Sequence, residues 1–177
     1  MLITVDLGNI VHQPDCDAIV NSANENLRAG SGVCGAIYKA AGPALEPCSI
    51  QQAPLGLGAA IITPGFNLPN RFVIHTRGPR YFFDEDPSDN LAAAMRNTLL
   101  VAEDNKLARI AVPGISMGIF SYPPDEAIPI LVRSAKETGR KLQYVQEVRF
   151  VVLDDELFRL FSNEIQKRKT SGHWEQD

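Results

Sequence analysis

The sequence predicts an α/β fold, a three-layer α/β/α sandwich built on a mixed central sheet. In the second half of the chain, short apolar runs of strand length alternate with longer segments whose apolar residues recur at helical spacing. The last run, residues 148–153, is almost wholly apolar, as expected for a central strand that is buried on both faces. With 177 residues and 45% hydrophobic content, the chain is long enough to bury a sizeable core.

The predicted elements follow in order along the chain. Six strands are predicted, at residues 2–7, 18–21, 59–63, 71–76, 109–113 and 148–153. Helices are predicted from Val33 onward and at residues 88–105, 125–138 and 154–167, where apolar residues recur on one face. Pro43 and Pro47 interrupt the first helix, because proline lacks the backbone N–H, and Pro129 is expected to kink the third or delay its start. Periodicity leaves the pairing direction of strands 59–63 and 71–76 open.

The composition argues against several kinds of site and partner. Three cysteines without CxxC spacing and three scattered histidines predict no disulfide framework, no metal centre and no cofactor. The net charge of −4 gives no general attraction to nucleic acid, which is therefore not an expected partner. Without a basic leader or an apolar run of membrane-spanning length, we expect a cytoplasmic protein. Residues 1–169 are expected to form a single domain with a frayed tail at 170–177, and the oligomeric state is left open.

One stretch, residues 21–42, combines the features of an anion-binding site. The apolar run at residues 18–20 ends in Asn21 and Asn24, which places polar side chains at the carboxyl end of a strand, where ligands gather in open α/β sheets. The following Gly-Ser-Gly at residues 30–32 lets backbone N–H groups converge on one acceptor, and a helix start directly after it favours phosphate. The alternative is a plain strand–loop–helix joint whose glycines only turn the chain.

Several motifs in this chain, in the same order, resemble those of the macrodomain family and most closely its hydrolase branch. They are LGNI at residues 7–10, VNSAN at 20–24, GAIYKAAG at 35–42, TPGFNLP at 63–69, HTRGP at 75–79 and VPGISMGIFSYP at 112–123. The resemblance covers most of the chain and implies the same three-layer fold. It also implies that the ligand is ADP-ribose or an ADP-ribosylated substrate.

The resemblance assigns two loops to the two phosphates of ADP-ribose. The first-loop residues are Gly30, Ser31, Gly32 and Val33, and the second-loop residues are Ser116, Met117, Gly118, Ile119 and Phe120. Asn24 is implied to be the catalytic residue, on the distal ribose hydroxyls, with a local turn cap as its alternative role. Phe120 matches an aromatic beside the same ribose, with an ordinary loop aromatic as the alternative. Ile10 and Ala23, within matched motifs, are included as ligand-binding residues.

Three further ligand-binding positions depart from the family pattern. Asn9 stands where an aspartate usually accepts a hydrogen bond from adenine, and an uncharged amide accepts it more weakly. Leu153 replaces an aromatic that often stacks on adenine. Cys34 replaces the aspartate that is thought to position or activate the attacking water. The helix N-terminus is expected to lower the pKa of Cys34, although no histidine is plainly placed to make it a nucleophile; its alternative role is a small apolar residue.

The functional prediction is therefore an ADP-ribose-binding domain that hydrolyses ADP-ribosyl esters, on mono-ADP-ribosylated protein or on O-acetyl-ADP-ribose. Cys34 favours the first alternative, a non-catalytic reader of ADP-ribose. The retained Asn24 favours the enzyme. A nucleic-acid or protein-interaction module is a second alternative, because a fold alone does not determine function.

Overall fold

The computed structural model describes residues 1–170 and has a six-stranded mixed sheet at its centre. The strands are β1 (Leu2–Leu7), β2 (Ala18–Ser22), β3 (Ala60–Pro64), β4 (Phe72–Thr76), β5 (Arg109–Val112) and β6 (Glu147–Val152). Their order in the sheet is β1-β6-β5-β2-β4-β3. All neighbouring strands are parallel except β3 and β4, which are antiparallel, so the structure decides the pairing that periodicity left open.

Five α-helices cover the sheet within the described residues. They are α1 (Gly32–Ala41), α2 (Leu45–Ser49), α3 (Pro87–Asp104), α4 (Pro124–Gly139) and α5 (Asp155–Thr170), and a short 3₁₀ helix (Ile50–Gln52) follows α2. Thr170 is thus the last residue of α5, and the tail predicted beyond it lies outside the described residues. The predicted delay of the third long helix is wrong, because α4 begins at Pro124 and contains Pro129 in its second turn.

The buried residues form separate apolar clusters on the two faces of the sheet. In β2, Ala18 and Val20 belong to the cluster that also contains residues of α3, α4 and α5, whereas Ile19 belongs to the cluster around α1. Ala111 of β5 likewise faces α1, between two residues that face the opposite layer. This alternation is the period of two expected of a strand that is covered on both sides. The three-layer α/β/α sandwich predicted from the sequence is confirmed.

Parallel pairing brings distant loops to one edge of the sheet. Strand β2 lies between β5 and β4, with Ile19 opposite Ala111 of β5 and Val73 of β4. The chain segments that follow β2, β4 and β5 therefore leave the sheet at the same carboxyl edge. This is the edge at which parallel α/β folds bind their ligands.

Candidate functional site

A cavity of about 210 Å³ opens between the loops that follow β2 and β5. It is lined by Ser22, Asn24, Gly30, Ser31, Gly32, Val33, Cys34, Pro113, Gly114, Ser116, Gly118, Ile119 and Phe120. Both predicted loops therefore contribute to one site. Ser22, Pro113 and Gly114 were not predicted, although each lies within three residues of a predicted position and could have been included on that ground.

The first loop ends in an uncapped helix start. Gly32 has a φ of 59°, a left-handed conformation that glycine adopts without strain. Ser31 occupies the N-cap position of α1, but its side chain makes no capping hydrogen bond. Among residues 1–170, none accepts a hydrogen bond from the backbone N–H of Gly32, Val33 or Cys34. These are the unpaired donors that make a helix N-terminus favourable for an anion.

Hydrogen bonds to its own carbonyl groups stabilise the second loop, and several of its backbone N–H groups donate to no described protein atom. The carbonyl oxygen of Ser116 accepts from the Tyr122 N–H at 2.9 Å, and that of Gly118 accepts from the Ser121 N–H at 2.9 Å. Within the described part of the chain, the amides of Gly118, Ile119 and Phe120 donate to no protein acceptor. The cavity is therefore bordered by two sets of backbone donors, one from each loop.

Asn24 lies at the cavity and caps a local turn. Its Nδ2 donates to the carbonyl oxygen of Arg28 at 2.8 Å, and its Oδ1 accepts from the Arg28 N–H at 3.1 Å. The turn-capping role that the sequence left as an alternative is thus present. An amide has a second N–H and a second lone pair, so these bonds leave Asn24 half of its hydrogen-bonding capacity for a ligand.

Cys34 is a buried thiol on the wall of the cavity. Its Sγ lies 3.5 Å from the carbonyl oxygen of Arg28. Desolvation raises the pKa of Cys34 above its ordinary value, against the smaller lowering effects of hydrogen bonds from Asn21 and the Gly30 backbone. The expected lowering of this pKa by the helix start is therefore wrong, because burial outweighs it. Cys34 is a neutral thiol at neutral pH, and it is the one titratable side chain among the residues that line the cavity.

A buried polar network lies behind this wall. Asn21 and His75 are opposite each other in the pairing of β2 with β4, and Asn21 Nδ2 lies 3.1 Å from His75 Nδ1. Because an amide nitrogen only donates, Nδ1 accepts and Nε2 carries the proton that is donated to Thr63 Oγ1 at 3.0 Å. Burial lowers the pKa of His75 to about 4, so the ring is neutral at physiological pH. Asn21 Nδ2 therefore has a partner inside the protein, whereas the buried Asn21 Oδ1 has none among residues 1–170.

Five predicted residues lie outside the lining of this cavity: Asn9, Ile10, Ala23, Met117 and Leu153. Ile10 and Ala23 are buried. The Met117 N–H donates a hydrogen bond to the carbonyl oxygen of Gly114 at 3.1 Å. Asn9 follows β1 and Leu153 follows β6, and these parallel strands are paired up to Leu7 and Val152. Both residues therefore lie at the carboxyl edge of the sheet, beyond the loop that follows β5. Asn9 Oδ1 accepts from the Val11 N–H at 3.1 Å, and Leu153 is exposed.

Comparisons with known proteins identify the family and agree with the fold. The family model described as Macro domain matches residues 20–131. The chain belongs to the macrodomain family. A macro domain-containing protein of Ralstonia nicotianae is 44% identical to this macrodomain over 151 residues, which cover 84% of this chain and 88% of the relative. The O-acetyl-ADP-ribose deacetylase of Salmonella newport is 41% identical over 157 residues, covering 86% and 88% of the two chains.

Solved macrodomains share the fold. The macrodomain of Oceanobacillus iheyensis with ADP has a TM-score of 0.87 and 32% identity to this macrodomain, covering 93% of this chain and 90% of that chain. The Trypanosoma brucei macrodomain in complex with ADP-ribose has a TM-score of 0.85 and 28% identity, covering 91% of this chain and 68% of that chain.

Residues 1–170 contain neither a candidate membrane span nor a candidate metal cluster. No helix in this part of the macrodomain is long and apolar enough to cross a membrane. The same residues contain no group of three or more His, Cys, Asp or Glu side chains that are placed to hold a metal ion.

Proposed function

We propose that this macrodomain binds ADP-ribose at the carboxyl edge of its sheet and hydrolyses ADP-ribosyl esters there. The observation that carries the binding proposal is the pair of unpaired amide sets, one in each loop, that border one cavity. Backbone donors that converge from two sides suit a diphosphate, whose oxygens accept several hydrogen bonds at once. An acidic chain with a net charge of −4 must hold such a ligand by local geometry of this kind.

The order of the loops along the edge fits an elongated ligand. From β1 to β2 the strands run β1, β6, β5, β2. Neighbouring strands lie about 4.8 Å apart, so the loops after β1 and β2 are separated by about 14 Å. In this proposal adenine lies near Asn9 and Leu153, the diphosphate lies between the two loops, and the distal ribose lies near Asn24 and Phe120. Relatives solved with ADP and with ADP-ribose support this choice of ligand.

The proposed reaction is the hydrolysis of an ester on the distal ribose. A water oxygen bonds to the acyl carbonyl carbon, the bond from that carbon to the ribose oxygen breaks, and the ribose oxygen takes up a proton. Asn24 is proposed to orient the ribose hydroxyls through its unused hydrogen-bonding capacity, and a phosphate of the ligand is proposed to position the water. The relative named O-acetyl-ADP-ribose deacetylase supports an ester of this class as the substrate.

One observation favours a second candidate, a reader that binds ADP-ribose without cleaving it. Among the described residues, no carboxylate lines the cavity, and Cys34 is protonated at neutral pH because burial raises its pKa. A neutral thiol is a poor general base. If the phosphate of the ligand does not position the water, the site therefore binds without catalysis.

Calorimetry followed by a hydrolysis assay separates these candidates. We expect ADP-ribose to bind with a micromolar dissociation constant and O-acetyl-ADP-ribose to release acetate. Binding without release of acetate, and without cleavage of mono-ADP-ribosylated protein, would identify a reader. Failure of ADP-ribose to bind at all would reject the proposed function.

A further inference from the structure

The most exposed large apolar side chains surround the site. Among residues 1–170, the four with the largest exposed fractions are Phe82 at 74%, Phe83 at 79%, Ile119 at 81% and Leu153 at 75%, whereas the next, Leu2, is 52% exposed. All four follow the carboxyl ends of β4, β5 or β6. Exposed apolar groups that are concentrated around one opening mark a binding surface more often than a random scatter does.

The segment that carries the two phenylalanines contacts both loops that border the cavity. On one side, Arg77 Nη1 lies 3.8 Å from Glu25 Oε1, next to the cavity residue Asn24. On the other side, the Tyr81 N–H donates to the carbonyl oxygen of Phe120 at 3.0 Å. Residues 77–83 therefore contact the chain neighbour of Asn24 and the backbone of Phe120, and none of the seven lines the cavity itself. Phe82 and Ile119 are the chain neighbours of the two residues that this last hydrogen bond joins.

The loop is held in one shape although its rings face solvent. Asp84 accepts from the backbone N–H of Arg80 at 2.7 Å and from its guanidinium at 3.2 and 3.0 Å. The same guanidinium lies 5.5 Å from the centre of the Phe83 ring, and the Tyr81 ring packs edge-on against Phe82 at 5.0 Å. A surface that is already ordered loses little conformational entropy when it binds an apolar group.

We propose that Phe82, Phe83 and Ile119, the apolar rim, bind the acyl chain of an ADP-ribosyl ester, so that this macrodomain prefers esters of longer, apolar acyl groups over acetyl. The inference rests on the proposed function, because it takes the ester to lie at the Asn24 end of the cavity. The rim offers ring and methyl surfaces, while the charges of Arg80 and Asp84 are satisfied by each other. The reaction is the same ester hydrolysis, with a fatty acid as the acid product, and the rim contributes binding alone.

The test compares the octanoyl and acetyl esters of ADP-ribose on the natural protein. Each fully buried methylene favours binding by a factor of about 4, so burying three of the six additional methylenes gives a factor of about 60. We expect kcat/KM for the octanoyl ester to exceed that for the acetyl ester by at least about ten-fold. The gain should lie mainly in KM, because the chain binds equally in the ground and transition states.

Variants assign the effect to the rim. Phe82→Ser and Phe83→Ser should each lower the octanoyl-to-acetyl ratio several-fold, and Phe82→Leu should restore most of it because an apolar side chain returns. Phe66→Ser is the matched control. Phe66 is also an exposed phenylalanine, but it lies between β3 and β4 at the opposite edge of the sheet, so its replacement should leave the ratio unchanged.

Each contrary result overturns the inference in a distinct way. A ratio near one in the natural protein excludes an acyl-binding rim, and a high ratio that survives both serine variants places the chain elsewhere. If the serine variants weaken only the binding of a glutamate-linked ADP-ribosyl peptide, the rim binds polypeptide instead. If the esters bind without turnover, a ratio of their dissociation constants near one excludes the acyl-binding rim in the same way. If neither ADP-ribose nor any ester binds, the proposed function fails together with this inference.

Discussion

Replacing Gly118 by glutamate tests the amide cavity most directly. A Cβ built on Gly118 has no protein atom within 4 Å, and the residue is not in the left-handed region. The side chain therefore fits without moving the backbone, but it places a carboxylate beside the unpaired amides of the second loop. Two unit charges about 5 Å apart at an effective dielectric of about 20 repel by about 3 kcal/mol. The dissociation constant for ADP-ribose should rise more than about 100-fold.

Calorimetry measures the affinity of the variant for ADP-ribose, and thermal unfolding of the free variant measures its stability. We expect an unfolding temperature close to that of the natural protein and no detectable binding at micromolar ligand. Gly118→Gln has almost the same volume without the charge, so it should lose much less affinity. A folded Gly118→Glu variant that binds normally would remove the second loop from the site, and equal losses in both variants would mean that volume, not charge, excludes the ligand.

The remaining predictions concern the ligand, the chemistry and the ion pair in which Arg149 Nη2 lies 2.7 Å from Asp15 Oδ2. ADP-ribose should raise the unfolding temperature, and AMP should bind much more weakly; equal calorimetric affinities would contradict a two-loop diphosphate site. Cys34→Asp should raise the rate of ester hydrolysis with little change in ADP-ribose affinity, because a carboxylate acts on the attacking water and not on ground-state binding, and inactivity of both proteins with binding retained would favour the reader. If the phosphate positions the water, Asn24→Ala should reduce the rate more than Cys34→Ala does. Asp15→Asn should lower the unfolding temperature at neutral pH, because hydrogen bonds from Arg149 lower the pKa of Asp15 from 3.8 to about 2. This stabilisation is complete above the unfolded-state pKa and is lost as the pH falls toward 2, so the two proteins should converge in acid, and a constant difference across pH would refute the assignment.

Local sequence patterns were enough to predict the six strands, four of the five α-helices and the two loops, but not the short α2 and the 3₁₀ helix after it. The strand and helix bounds predicted from periodicity lie within a few residues of those in the structure, since burial on one or both faces of an element leaves its period in the sequence. The glycine pattern at residues 30–32 predicted an exposed helix start for the same local reason. Asn24, Gly118 and Phe120 were predicted from a resemblance that itself consists of short local motifs.

The features that the sequence did not predict depend on contacts between segments that are distant in the chain. The antiparallel pairing of β3 with β4 depends on which strand lies next to which, and periodicity carries no such information. The continuity of α4 through Pro129 shows that packing of a helix can outweigh one missing backbone hydrogen bond. The place of residues 77–83 beside the two loops likewise follows from their contacts with Glu25 and Phe120.

Cys34 shows most clearly the difference between what local sequence predicts and what tertiary contacts determine. Its sequence position identified it as the first-turn residue of a helix beside an anion loop, and that position alone favours a thiolate. Its pKa is raised because the folded chain removes the thiol from water, and desolvation depends on everything packed around the side chain. Local order in the chain was therefore sufficient to predict the strands, four of the five α-helices, the loops and the family. It also allowed the turn bonds of Asn24, which join residues only four apart. The protonation of Cys34 and the apolar rim could not be predicted in this way, because each depends on segments that are far apart in the chain.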